Sequence, residues 1–201
     1  MFVIKLKNFL GMDNFKIHQL FSTPVYTTFI DNKIADFVEN LITPRINQLK
    51  KEGYVSTDHY EKEKIVKADE ISQLTKEIKK HLIKFSDETG LYLGNKVDHW
   101  VQDYKIGENH PKHAHPESSI SGVYFIRANE HAGELQFLTP NPHSYFASYL
   151  NEEKKNKDLY YDIKPQKGLL VLFPSYFFHQ ALHSENKNVI RTSLAFNVSL
   201  N

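Results

Sequence analysis

The residues of this chain best suited to chemistry are His113 and His115, separated only by Ala114, together with His179 and Arg191 far downstream. On one strand, positions i and i+2 point to the same face. The two imidazoles would then stand side by side, and a third His from a distant strand would complete three adjacent corners of a metal site. Three cofacial protein ligands leave the remaining coordination positions open to reactants, which is the requirement of a catalytic metal. Arg191 lies in the strand-like run Arg191-Thr-Ser-Leu-Ala-Phe-Asn-Val. Its planar fork makes two parallel charge-assisted bonds and so suits the far carboxylate of a metal-bound organic acid. Isolated histidines such as His18, His59, His81 and His131 read as surface or capping residues.

Such a site needs a rigid frame, and the composition supplies material for one. A length of 201 residues fits a single domain, 1–201, and 40% hydrophobic with 13% aromatic residues argues for a packed core and against disorder. Lys plus Arg (25) nearly balances Asp plus Glu (24), so no global field draws the protein to nucleic acid or an anionic membrane. A small-molecule, peptide or protein substrate is the expectation. The absence of cysteine excludes disulfides, thiolate zinc sites and a Cys nucleophile, and it accords with a reducing, cytoplasmic setting. No apolar run is long enough to span a membrane. Lysines interrupt the opening Met-Phe-Val-Ile-Lys-Leu-Lys, which makes a poor signal peptide, and Met12 is a candidate alternative start. Nothing in the sequence reports an oligomeric state.

Residues 1–95 read as a mixed α/β support. Ile17 to Ile30 suggests an early strand. Asp31 or Asn32 then caps a helix with apolar positions Ile34, Phe37, Val38 and Leu41, which Pro44 is expected to bend or end. A second helix runs from about Asp69 to Glu88 along the stripe Ile71, Leu74, Ile78, Leu82 and Phe85, and Gly90 closes it. The charged stretch 51–68 reads as a loop.

From residue 96 the pattern changes to short strands. They are His99 to Ile106, Ile120 to Ile126, Gly133 to Leu138, Gly168 to Pro174 and Val189 to Val198, with His179 placed at the end of a hydrophobic strand. Helices followed by many short strands predict a mostly β fold, a sandwich or barrel buttressed by helices. A Tyr-rich insertion at 141–164 suits either a lid over substrate or a helix packing one aromatic edge.

Taken in order, Tyr104-Lys-Ile-Gly107, His113, Ser121-Gly-Val-Tyr-Phe-Ile, Gly133-Glu-Leu-Gln-Phe, Gly168-Leu-Leu-Val-Leu-Phe-Pro-Ser, His179 and Arg191-Thr-Ser193 resemble the Fe(II)- and 2-oxoglutarate-dependent oxygenases, in their prolyl-hydroxylase-like branch. The early Leu20-Phe-Ser-Thr-Pro-Val-Tyr is similar as well, and the likeness is strongest over 100–200. The resemblance implies a double-stranded β-helix (jelly roll) core. It implies His113 and His179 as Fe(II) ligands and Arg191 as anchor for 2-oxoglutarate, with Ser193, Tyr104 and Tyr124 as further donors to it. It also implies O2-dependent decarboxylation to succinate and CO2 coupled to substrate hydroxylation.

One position departs from the family pattern: where a carboxylate ligand is expected stands His115. His115-Pro-Glu117 offers the usual His-x-Glu one step later, so the third ligand is either His115 or Glu117, with His115 replacing His113 in the second case. His183 is a spare ligand or an ordinary loop residue, the latter being the simpler reading. Trp100 reads as core. Two other functions fit the same residues: a three-histidine cupin-like dioxygenase that does not use 2-oxoglutarate, and a non-catalytic jelly-roll binding module.

Overall fold

A computed structural model describes residues 22–52, 65–140 and 159–200. The expected strand residues before 22, most of the charged 51–68 stretch and most of the Tyr-rich insertion lie outside the described residues.

The support begins with strand β1 (Tyr26–Phe29) and helix α1 (Asn32–Lys51). Asp31 caps α1 by accepting from the Lys33 amide at 2.9 Å. Pro44 sits inside this helix rather than at its end. An interior proline costs about 3 kcal/mol, yet the buried stripe Ile34, Ala35, Val38, Ile42 and Ile46 runs straight through it. Continuous burial on both sides of Pro44 offsets the lost bond, and the Thr43 hydroxyl donates to the Glu39 carbonyl one turn back. Helix α2 (Ser72–Thr89) buries Leu74, Ile78, Leu82 and Phe85, and Gly90 closes it in the left-handed region at φ 73°.

The remaining strands are β2 (Val97–Tyr104), β3 (His110–His113), β4 (Ser118–Ala128), β5 (Leu135–Leu138), β6 (Tyr160–Ile163), β7 (Leu169–Pro174), β8 (His179–Ala181) and β9 (Arg191–Ser199). They form a five-stranded sheet in the order β1-β7-β4-β9-β2 and a four-stranded sheet in the order β3-β8-β5-β6, with every pairing antiparallel. Mostly antiparallel β structure with two helices matches the predicted class. None of the described helices is long and apolar enough to cross a membrane.

Two cores result. One joins the helices to the outer face of the large sheet, with Val38, Leu74, Leu82, Tyr124, Leu172 and Phe196 among its members. The other fills the space between the sheets with Val123, Phe125, Phe137, Val171, Phe173 and Phe177. Alternation along β4 explains the division: Val123 and Phe125 point inward, Tyr124 and Ile126 outward.

A polar network also ties α1 to the large sheet. The buried Asp103 carboxylate on β2 meets Lys50 at 2.5 Å, Arg127 at 3.0 Å and the Thr192 hydroxyl at 2.5 Å. Burial alone would raise its pKa, but these three bonds together hold it below the usual carboxylate range.

Candidate active site

Register decides which side chains share the space between the sheets. On the large sheet, directly paired residues point the same way, and the pairs Tyr104 with Arg191, Gln102 with Ser193, Trp100 with Ala195, and Ser121 with Asn197 form successive inward rows. On the small sheet, His113 pairs with His179, and His179 with Phe137. The three histidines therefore meet these rows across the mouth of the sandwich, in a cavity lined by Trp100, Gln102, Tyr104, Ser121, Arg191 and Asn197.

His113, His115 and His179 each offer a ring nitrogen within 4.8 Å of the other two. Ring centroids are 4.2 Å apart for His113 and His179, 4.9 Å for His113 and His115, and 5.3 Å for His115 and His179. Two local details differ from expectation. β3 ends at His113, so His115 lies in the connection to β4, where its amide donates to the Ser175 carbonyl at 2.8 Å. That bond, rather than strand pleating, sets its position. His179 opens β8 after the turn that follows Pro174, instead of ending the preceding strand.

The tautomers follow from the hydrogen bonds. Nδ1 of His113 donates to the Pro111 carbonyl at 2.7 Å, and Nδ1 of His179 donates to the Phe177 carbonyl at 2.9 Å. Each Nε2 then keeps its lone pair for an ion, as in histidine metal sites generally. Burial lowers the His113 pKa, and burial with the neighbouring His113 pushes His179 down to about 3, so both rings are neutral near pH 7. Neutral imidazole is the ligand form. Phe173 stands edge-on to His179 at 4.6 Å and helps to exclude water. His110 stands edge-on to His113 at 4.3 Å.

Glu117 is exposed and is not part of the three-residue cluster. His183 is half exposed and lies 3.1 Å from Glu185, which fits the ordinary loop reading.

Arg191 is 3% exposed. One of its terminal nitrogens donates to the Gly133 carbonyl at 2.8 Å, and its guanidinium lies 4.7 Å from the Tyr104 ring centroid and 5.7 Å from that of Phe125. No carboxylate forms an ion pair with it among the described residues, and burial lowers its pKa. Its Nε and the Ser193 hydroxyl are buried and without hydrogen-bond partners. Buried polar groups are nearly always satisfied, and a buried cation with a free donor on the same strand face as a free hydroxyl fits an anionic ligand. Tyr104 covers the guanidinium, and burial raises the pKa of its phenol.

Tyr124 is a correction. It packs in the core between the helices and the large sheet, on the face away from the cavity, and burial pushes its phenol up. It is removed from the set of cosubstrate donors.

A family model described as "Putative 2OG-Fe(II) oxygenase" matches residues 98–197, the span that carries every cavity residue named above. The chain belongs to the 2OG-Fe(II) oxygenases. A Pseudomonas putida prolyl-4-hydroxylase has a similar fold, with a TM-score of 0.58 and 14% identity over 90% of this chain and 89% of that one. AviO1 from Streptomyces viridochromogenes Tue57 is similar with a TM-score of 0.61 and 12% identity, over 89% and 90% of the respective chains. At these identities the likeness bears on the fold, and it agrees with the jelly roll expected from the sequence. No match to a curated protein was found. For this oxygenase, family membership implies Fe(II), 2-oxoglutarate and O2, and among the described residues His113, His115 and His179 form a group that could hold the metal.

Sequence reading passed over Trp100, Gln102, Ser121 and Asn197 as site residues. The signal that finds them is register: each lies on the large sheet at an inward position, on the same face as Arg191.

Proposed function

We propose that this oxygenase is a hydroxylase in which His113, His115 and His179 hold Fe(II), Arg191 anchors the distal carboxylate of 2-oxoglutarate, and the substrate is an amino-acid, peptide or other small organic molecule. The observation that carries the reading is the buried Arg191 without a carboxylate partner, its Nε orphaned next to the orphaned Ser193 hydroxyl. A carboxylate placed there would accept from both. Tyr104, lying over the guanidinium, would restrict its orientation and shield the pair from water.

Bound iron supplies the O2-dependent oxidation, coupled to conversion of 2-oxoglutarate to succinate and CO2. The chain's part is binding, orientation and water exclusion. The Pro111 and Phe177 carbonyls fix the two ligand rings, and Phe137, Phe173 and Phe177 dry the region behind them. Three neutral ligands leave the metal its full charge of +2 beside the Arg191 cation, which complements a dianionic cosubstrate.

A three-histidine dioxygenase that does not use 2-oxoglutarate remains the second reading, and the three-histidine geometry itself favours it. That reading gives Arg191 no ligand.

The test is anaerobic titration of the Fe(II)-loaded protein with 2-oxoglutarate, followed by succinate release on admission of air. A visible charge-transfer band and succinate release, both lost in His179→Ala and weakened in Arg191→Ala, are expected. Retention of either signal in His179→Ala, or indifference to Arg191→Ala, overturns the assignment.

A further inference from the structure

Asn197 is an inward residue that the iron and 2-oxoglutarate roles leave unused. It lies on β9 six positions from Arg191, about 20 Å along the strand, at the other end of the inward row. Its side-chain oxygen accepts from the Ser121 hydroxyl at 2.7 Å, and the Ser121 oxygen is 2.8 Å from that of Ser175.

A serine hydroxyl has a single proton. Because Ser121 gives its proton to Asn197, Ser175 must be the donor in the second bond. The chain thus runs in one direction, Ser175 to Ser121 to Asn197, and ends on the carboxamide oxygen. Both serines are almost completely buried, so the carboxamide is fixed with its NH2 group turned away from them. No hydrogen bond to that group occurs among the described residues.

The serine chain also touches the metal-ligand cluster. The Ser175 carbonyl accepts the His115 amide at 2.8 Å, and the Trp100 ring lies 6.3 Å from that of His115. Trp100 and Asn197 both line the cavity. If 2-oxoglutarate reaches from the metal toward Arg191, the Asn197 end is the side left for the substrate.

Building on that reading, we infer that Asn197 is a substrate-binding residue that donates to an uncharged carbonyl of the substrate, that Ser121 and Ser175 are its positioning residues, and that the substrate is an amide. The lining chemistry selects this class. Among the described residues no Asp or Glu lines the cavity and Arg191 is its sole Lys or Arg, so a free amino acid would find among them no carboxylate for its ammonium group and no second cation for its carboxylate. An amide carbonyl needs only a neutral donor, which Asn197 supplies, and Trp100 offers an apolar wall beside it.

The experiment uses the full chain loaded with Fe(II) and 2-oxoglutarate. Succinate release is measured alone and then with two panels: N-acetyl amino-acid methylamides and the corresponding free amino acids. Release without any additive, dependent on Arg191, tests the oxygenase reading by itself. If that release is absent, the oxygenase reading fails; if it is present, the panels decide the present inference.

Stimulation by at least one blocked amide is expected, with its KM raised about tenfold or more in Asn197→Asp, as for a lost hydrogen bond to a desolvated group. That variant keeps the bond from Ser121 and the residue's shape but replaces the NH2 donor with an acceptor. Its melting temperature should match that of the parent, and Asn197→Ser, which removes the carboxamide without adding a charge, should bind 2-oxoglutarate as the parent does. In Ser121→Ala the carboxamide is free to turn, so KM for the amide should rise with kcat held, and succinate formed per hydroxylated product should increase.

Stimulation by free amino acids instead of amides, or by neither panel, overturns the inference. So does an unchanged KM in Asn197→Asp. Weaker 2-oxoglutarate binding in Asn197→Ser would make Asn197 a cosubstrate ligand and would equally overturn it.

Discussion

Arg191 donates to the carbonyl of Gly133 at 2.8 Å, and Gly133 can hold that carbonyl in place because it has no side chain. A Cβ there would lie 2.0 Å from the Leu182 carbonyl oxygen. Two backbone segments therefore meet at a distance only glycine allows, and their junction steadies the guanidinium. Gly133→Ala must push the segments apart. The expected outcome is a loss of about 1–3 kcal/mol in denaturant unfolding and roughly tenfold weaker 2-oxoglutarate binding, with Mn(II) affinity unchanged. Equal weakening of metal and cosubstrate binding would show that the junction supports the whole site and not Arg191 in particular.

Arg191 also separates stability from function. A buried cation without a carboxylate partner is costly, and its replacement by an apolar side chain of similar length is frequently neutral or better. Relief of that cost should offset the lost bond to Gly133. Arg191→Met is expected to unfold within about 1 kcal/mol of the parent when ligand-free, yet to show no upward melting shift with 2-oxoglutarate. Destabilisation of several kcal/mol would assign Arg191 to the scaffold instead.

The sequence carried the second helix to within a few residues, because Leu74, Ile78, Leu82 and Phe85 repeat at helical spacing and Gly90 ends the run. It also brought His113, His179 and Arg191 together, since only a few arrangements of those strands give them one mouth. Tyr124 was misplaced for a physical reason. The β4 segment is buried on both faces, by helices on one side and the small sheet on the other, so its apolar run has no alternation from which to read a face. Pro44 does not end its helix because local propensity yields to burial on either side of it. His115 is held by a bond to Ser175, a partner 60 positions away that no local pattern reports.

Acid should destabilise the metal-free protein through its buried histidines. His179 titrates near 3 when folded and near 6.5 when unfolded. Between those values the unfolded chain binds a proton that the folded chain does not, so stability is full above about pH 6.5 and declines as pH falls toward 3. His113 and His81, whose pKa values burial also lowers, act with the same sign. For His179 alone the loss by pH 5 should be about 2 kcal/mol. Urea unfolding at pH 7.5, 6 and 5 checks this, and His179→Gln should flatten the dependence. A parent protein that gains stability on acidification would contradict it.

Asp103 supplies a separate acid dependence in the scaffold. Its carboxylate is held below the usual range by Lys50, Thr192 and Arg127, so its contribution is present above the unfolded value of about 4 and is lost as pH falls through the folded value. Asp103→Asn leaves Lys50 and Arg127 without their partner and should cost about 3 kcal/mol at pH 7. The difference between variant and parent should shrink below pH 4. A constant difference across that range would mean that packing rather than charge makes Asp103 important.

The third ligand sets the charge of the proposed metal centre, and three variants separate His115 from Glu117. Glu117 is exposed and apart from the cluster, so Glu117→Ala should leave Co(II) and Mn(II) affinity within about twofold of the parent, whereas His115→Ala, with one of three ligands gone, should lower it by about 100-fold. His115→Asp restores a carboxylate and should bind metal, but it reduces the metal's net charge by one unit. Even at a surface-like dielectric, a unit charge a few ångströms away amounts to several kcal/mol before screening. The parent should therefore bind 2-oxoglutarate at least about tenfold more tightly than His115→Asp, read by calorimetry on the Mn(II) forms. If His115→Ala keeps its metal while Glu117→Ala loses it, the third ligand is Glu117 and the charge argument for three neutral imidazoles fails with it.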